Sequence, residues 1–343
     1  MHAVFLNHHG DESVLQYGIL PDPQVSAGQV LIQIKACALN HLDLWVRRGI
    51  PGSRLPMPHI LGSDISGVVA EVGAGVTHVK TGDEVFISPG TSCGVCERCL
   101  TGDENNCRYY GVIGENSRGG YAEYITVPGV NVVPKPANLS FIEAASFPLT
   151  FLTSWQMLVT KCRVRPGDVV LVLAAGSGVG VAAVQIAKLH GARVIAAAGS
   201  DEKLEKVKPL GADFFINYEK QSFREEVMKL TGKRGADIIF EHVGEKTWPE
   251  SIKTLARGGR LVTCGATTGY NAVTDLRYLF SKNLQIFGSI MGSKGELLRI
   301  ADFFRAGKFQ PVIDRVMPLA EAQEAHRILA RREQFGKVVL EAR

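Results

Sequence analysis

Val169-Val170-Leu171-Val172-Leu173-Ala174-Ala175-Gly176-Ser177-Gly178-Val179-Gly180 is the stretch that decides how this chain folds. An unbroken apolar run passes into a turn with three glycines, and residues 178–190 then follow helical spacing. Glycines permit close backbone approach, and the free N–H groups of a helix start attract a pyrophosphate. A lone glycine triplet also serves a tight turn, so the units around it matter. Further apolar runs at 193–198, 214–217, 237–241, 260–264 and 284–290 alternate with helical segments at 201–210, 222–231 and 246–257, the last stopped by Gly258-Gly259. Strands buried on both faces and alternating with helices predict an α/β fold with a doubly wound parallel sheet. The uncharged stretch 169–187 is long enough to span a membrane, but its central glycines would break a spanning helix. No membrane partner is expected.

On the N-terminal side the pattern changes. Short alternating runs at 29–36 and 67–72 are broken by Pro51, Pro56, Pro58, Gly73, Gly75 and Gly82, which favours an irregular antiparallel β domain. Beyond 290 come helical segments at 294–306 and 319–332 and a strand at 337–340. The 343 residues therefore read as a β-rich substrate domain, 1–149 plus 291–343, with a nucleotide domain inserted at 150–290. The net charge of +4 is spread without a run of five or six like charges, so nucleic acid is not an expected partner. The N-terminus shows no basic leader followed by an apolar segment, and a cytoplasmic location is the expectation.

Where an NAD-preferring site would carry a carboxylate for the ribose hydroxyls, at the end of the second run, Ala198 stands. A 2′-phosphate fits beside Gly199 and Ser200, with Lys203 as counter-charge and Tyr218 as a hydroxyl donor, which points to NADP(H). The competing reading leaves Lys203 in solvent and gives the ribose to Asp201 or Glu202. Cys93, Cys96, Cys99 and Cys107 fall within one short segment of the lobe 90–110, with Gly94 and Gly102 to let the backbone fold round a centre. Four thiolates make a closed zinc site with no position left for water, so one structural zinc per chain is expected. Cys37, Cys162 and Cys264 lie in apolar surroundings as small core residues.

Taken together, the β-rich first part, the four-cysteine lobe, the inserted Rossmann domain and the ending Gly336-Lys337-Val338-Val339-Leu340 resemble the medium-chain dehydrogenases/reductases, that is, the zinc-type alcohol dehydrogenases and their zinc-free quinone reductase relatives. The resemblance covers essentially the whole chain and implies a GroES-like fold for the catalytic domain. It also places Thr153 near the nicotinamide ribose, and Gly176, Gly178, Val179, Gly180 and Gly265 along the cofactor. Zinc-type members hold a catalytic zinc by a Cys three residues before an Asp, by the His of Gly-His-Glu and by a second Cys just ahead of the nucleotide domain. Here Asn40 precedes Asp43, Ser63 and Asp64 replace His and Glu, and Leu149 replaces the second Cys.

An amide, a hydroxyl and an isobutyl group do not form a zinc site. The resemblance then implies hydride transfer from NADPH to a quinone or an α,β-unsaturated carbonyl, with Asn40 and Ser63 polarising the carbonyl and Asp43 and Asp64 orienting them. Two alternatives stay open: an alcohol dehydrogenase whose catalytic metal has moved to His41, His59, Asp43 and Asp64, and an NADPH-binding protein without catalysis. His242, after the fourth run, stands where a side chain approaches a cofactor. The uninterrupted run 284–290 reads as a sheet edge, and the resemblance implies that this edge pairs with its two-fold mate, giving a homodimer or, by stacking, a homotetramer.

Overall fold

The structure, a computed structural model, describes residues 1–52 and 55–342, which form two compact units. One comprises Met1–Leu149 with Gly292–Arg343, the other Thr150–Met291. No helix among the described residues is long and apolar enough to cross a membrane.

In the second unit six strands, β1 (Val169–Val172), β2 (Arg193–Ala198), β3 (Phe214–Asn217), β4 (Ala236–Glu241), β5 (Leu255–Thr263) and β6 (Gln285–Gly288), make one sheet in the order β3-β2-β1-β4-β5-β6. Every pair is parallel, the doubly wound arrangement whose order reverses between β1 and β4. Leu171, Ile195, Ile216, Ile239 and Leu261 belong to one core, while the alternate residues Val170, Val172, Val194, Ala196, Ile238 and Phe240 are equally buried. Burial of both faces is why these strands read as continuous apolar runs rather than as alternation.

Several boundaries differ from the sequence expectation, two of them instructively. The helix expected over 246–257 spans only Trp248–Thr254, and Gly258-Gly259 lies inside β5. Gly258 adopts φ +72°, and the β4–β5 register shifts between Ala236 and Ile238, so the glycines make an irregularity within the strand, not a helix stop. Likewise the helix expected over 319–332 opens as a 3-10 turn, Leu319–Glu321, before Ala322–Ala330.

The first unit carries a seven-stranded sheet whose main path runs Val132–Pro134, Glu84–Ile87, Asp64–Val72, Gln29–Ala38, Lys337–Glu341, Ile313–Pro318, with Tyr124–Pro128 also pairing to Gln29–Ala38. Its register decides the local chemistry. Ala38 stands opposite both Asp64 and Val339, so Asn40, Asp64 and Lys337 gather at one end of neighbouring strands although up to 297 positions separate them in sequence.

Candidate functional site

At the end of β1, Ala174 takes φ +46° and the chain turns into the helix Gly178–Leu189, which Ser177 caps by accepting the Gly180 N–H at 3.0 Å. A Cβ added at Gly180 would lie 2.5 Å from the Ala174 carbonyl oxygen and 2.8 Å from the Ala175 Cα. Only glycine allows the helix start to sit this close to the strand, the packing a nucleotide fingerprint requires. Ser154 fixes the preceding helix, Pro148–Trp155, to this turn by donating to the Val179 carbonyl at 2.9 Å. Thr153 is buried, its hydroxyl 3.7 Å from the Met291 sulfur. Gly265 follows β5, its N–H directed to Thr263 Oγ1 at 3.4 Å.

The end of β2 brings the adenosine-side candidates together. Ser200 caps the helix Asp201–Val207 by accepting the Lys203 N–H, and a Cβ at Gly199 would meet the Tyr218 hydroxyl at 3.4 Å. Asp201 is bound by Asn217 Nδ2 at 2.6 Å and by Lys220, and Glu202 is paired with Lys206 at 2.6 Å. Both carboxylates remain exposed. His242 donates from Nε2 to the Leu173 carbonyl at 3.0 Å and lies 3.4 Å from Ser177 Oγ. Sequence reasoning missed its neighbour Glu241, a fully buried carboxylate at the end of β4 that accepts from Val243 N, Gly244 N and Thr247 Oγ1. Burial pushes its carboxyl upward, and its bonds shape the turn beyond the strand.

In the first unit Cys93, Cys96, Cys99 and Cys107 place all four sulfurs within 4.8 Å of one another. Four of the Sγ···Sγ distances lie between 3.6 and 3.8 Å. They are too long for disulfides and match the edge of a tetrahedron, about 3.8 Å for metal–sulfur bonds of roughly 2.3 Å. Gly94 and Gly102 turn the loop at φ +75° and +76°. The N–H groups of Val95 and Cys96 draw the Cys93 thiol down to about 6, favouring thiolate there, and Tyr109 N–H reaches the Cys107 sulfur at 3.3 Å. The donor set fits one closed structural zinc. Elsewhere burial raises the thiols of Cys162 and Cys264 to about 12, in keeping with unreactive residues.

Around the catalytic candidates the geometry forms two connected clusters. Asn40 donates from Nδ2 to Asp64 Oδ2 at 2.9 Å and accepts from Lys337 Nζ at 2.6 Å, and Lys337 also binds Asp64 at 2.9 Å. Asp64 Oδ1 accepts the Leu149 N–H at 2.7 Å. Asp43 accepts from Asn40 N, Gly62 N and the Tyr121 hydroxyl at 2.7, 3.1 and 3.1 Å. Behind Tyr121 stand His326 and then Arg47: Arg47 donates to Nδ1 at 3.1 Å, so Nε2 carries the hydrogen 3.3 Å from the Tyr121 oxygen. Burial lifts Asp43 to about 6 and drops His326 to about 3. Of the four catalytic candidates, Ser63 alone has a buried hydroxyl without a hydrogen-bond partner.

His41 packs edge-on to Trp45, and His59 places Nε2 3.1 Å from the Gly114 carbonyl, buried and with its basicity lowered. Among the described residues the four cysteines are the one group of three or more His, Cys, Asp or Glu close enough to share a metal ion. Asp43, Asp64, His41 and His59 do not form a second.

Residues 26–137 match the alcohol dehydrogenase GroES-like domain, and residues 178–306 match the zinc-binding dehydrogenase family. A crystal structure of an NAD-dependent alcohol dehydrogenase superposes with a TM-score of 0.97 at 51% identity, covering all of both chains. The NAD-dependent alcohol dehydrogenase of Sulfolobus acidocaldarius is 33% identical over 99% of both chains, and the quinone oxidoreductase of Rattus norvegicus 30% identical over 99% of this chain and 97% of its own.

Proposed function

Because the chain is an oxidoreductase of the medium-chain dehydrogenase/reductase superfamily, related to both zinc-type alcohol dehydrogenases and quinone oxidoreductases, we propose that it transfers hydride from NADPH to a quinone or an α,β-unsaturated carbonyl without a catalytic zinc. The observation that carries this reading is the trio Asn40, Ser63 and Leu149: none supplies a zinc ligand, and a single ligand cluster, the cysteine one, exists among the described residues. A simple alcohol is a poor hydride donor at neutral pH without a Lewis acid or a tuned general base to take its proton, whereas an enone or quinone needs hydrogen bonds to its oxygen and a proton source.

The nicotinamide, when bound, supplies the hydride. The cradle opened by Gly180, with Gly176, Gly178 and Val179, takes the pyrophosphate; Thr153 and Gly265 serve the nicotinamide side. In the first unit the unpartnered Ser63 hydroxyl and the second amide hydrogen of Asn40 donate to the substrate oxygen as negative charge grows there. Asp64 holds the Asn40 side chain and Asp43 its backbone, so the amide is oriented before substrate arrives. Turnover with a panel of quinones, enones and alcohols, combined with zinc analysis per chain, tests the assignment. Reduction of quinones or enones by a protein with one zinc is expected; alcohol oxidation that depends on a second zinc would overturn it. Tight NADPH binding with no reduction anywhere on the panel would favour the non-catalytic alternative.

NADPH should exceed NADH in kcat/KM by about 10- to 100-fold, the range that charge-assisted bonds of about 1.5–3 kcal/mol from Lys203, Ser200 and Tyr218 provide. Ala198→Asp sets a carboxylate against the 2′-phosphate and is expected to reverse the order. Equal values for the two cofactors in the unmodified enzyme would defeat the argument.

β6 is one of the two edges of its sheet, β3 being the other, and Tyr270, Val273, Leu276, Phe280 and Ile290 expose apolar surface on segments neighbouring β6 in sequence. An unpaired edge beside apolar residues supports a homodimer, or a tetramer of two such dimers, joined through β6. Light scattering should give at least twice the 37.1 kDa chain mass, and Ile286→Lys should return it to one chain. A monomer at micromolar concentration contradicts this.

A further inference from the structure

Asp43 and Arg47 stand four residues apart on the helix His41–Arg48, the spacing at which an acid and an arginine ordinarily pair directly. Here the route between them runs instead through two neutral side chains from distant segments, Tyr121 and His326, and all four residues are no more than 1% exposed. A guanidinium has no acceptor, so His326 must receive at Nδ1 and give at Nε2. The Tyr121 oxygen that receives this hydrogen gives its own to Asp43 Oδ2. Each link therefore runs in one direction, set by the arginine. An arginine does not give up its proton in a protein, so the chain carries orientation and charge rather than protons.

At its inner end the chain reaches the catalytic candidates. Asp43 accepts the Asn40 N–H at 2.7 Å on the oxygen that Tyr121 also binds, and the Gly62 N–H at 3.1 Å on the other. These are the backbone of Asn40 itself and of the residue before Ser63. Gly62 takes φ +97°, and a Cβ there would lie 2.5 Å from the Tyr121 ring, so the ring that supplies the hydroxyl also lies against the peptide leading into Ser63. An ionised Asp43 receives all three hydrogens and holds residues 40 and 62 at one separation; a protonated one must give a hydrogen where its neighbours offer theirs. We propose that Arg47, His326 and Tyr121 are positioning residues of the reductase: a one-way hydrogen-bond chain that keeps the Asp43 carboxylate receiving, and so holds the Asn40 amide and the Ser63 hydroxyl together for the substrate oxygen. The inference rests on the roles given above to Asn40 and Ser63. Lys337, itself paired with Asp64, and Cys37 also face Asp43, and Arg48 faces His326; none of them changes in the variants below.

The test is steady-state reduction of a quinone or enone from pH 5 to 8 by the unmodified chain, Tyr121→Phe, His326→Gln and His326→Leu. Tyr121→Phe keeps the ring against Gly62 and takes one hydrogen from the carboxylate, so kcat should fall about tenfold with the KM for NADPH unchanged, and the acid limb of kcat should move up by about one pH unit. An amide at 326 can receive from Arg47 and give to Tyr121, so His326→Gln should keep kcat within about threefold, whereas His326→Leu does neither and should match Tyr121→Phe. If the stranded arginine prevents that variant from folding, His326→Leu/Arg47→Met removes the charge and should show the same loss. Unchanged kcat in Tyr121→Phe, an acid limb that stays in place, or equal losses in His326→Gln and His326→Leu overturns the proposal. No reduction of any acceptor by the unmodified chain defeats the functional reading instead. Nitrogen NMR of labelled histidine then decides the chain by itself: His326 should carry its hydrogen at Nε2 alone throughout this pH range, and a hydrogen at Nδ1 overturns the assignment.

Discussion

Replacing His326 with Asn is expected to remove an acid sensitivity worth up to about 5 kcal/mol between pH 6.5 and 3. The imidazole is fully buried, chiefly desolvated, and faces the Arg47 guanidinium, which requires Nδ1 to stay an acceptor. Its folded pKa of about 3 lies below the ordinary 6.5, so the stability it contributes is complete above pH 6.5 and is lost as pH falls towards 3. Asp43, two hydrogen bonds away, has the opposite sign. Burial raises it from 3.8 to about 6, so its contribution is complete below 3.8 and lost as pH rises through 6, to the extent of about 3 kcal/mol. Denaturant midpoints measured from pH 7.5 to 4 should therefore show the gap between the unmodified protein and His326→Asn closing on acidification, and the gap to Asp43→Asn widening. Parallel pH curves for all three proteins would show that neither group changes its protonation on unfolding.

Loss of the zinc lobe is the other large expected effect. Cys99→Ser removes one of four converging sulfurs, and with three ligands the ion is held far more weakly. The lobe is tied to the rest of its unit by Glu104, whose carboxylate accepts the Lys294 N–H at the start of the helix Lys294–Arg305, so loosening propagates to that helix. A Tm decrease on the order of 5–10 °C is expected, with kcat retained at temperatures below the transition. Scanning calorimetry with zinc analysis checks it. A variant at full stability that has lost hydride transfer would mean the lobe works in the chemistry.

What the sequence made legible follows from where the forces are local. Strands β1 to β4 announce themselves because burial on both faces keeps their centres apolar, and the turn 174–180 because glycine is required where the helix nearly touches the strand. The cysteine lobe is equally local, its ligands lying between 93 and 107. Gly258-Gly259 misleads because a glycine pair ends a helix as readily as it bends a strand. Lys337 was out of reach: beside Val338-Val339-Leu340 it reads as a solvated residue at a strand start, and only the pairing of that strand with Gln29–Ala38 carries it to Asn40 and Asp64. The chain of Arg47, His326, Tyr121 and Asp43 was hidden for the same reason, its members coming from separate segments.

The position of Lys337–Glu341 inside the sheet, flanked by Gln29–Ala38 and Ile313–Pro318, bears on how the protein is made. A ribosome delivers residues 1–149 first and the whole of 150–291 next, so the nucleotide unit has all its strands while the earlier sheet still lacks interior members. Throughout that interval the flank of Gln29–Ala38 that Lys337–Glu341 will cover is an open edge, and Asp64 has no lysine. Translation arrest anywhere between 292 and 336 thus leaves a nascent chain with a finished nucleotide unit and an adhesive, unfinished sheet, the kind of intermediate that chaperones retain.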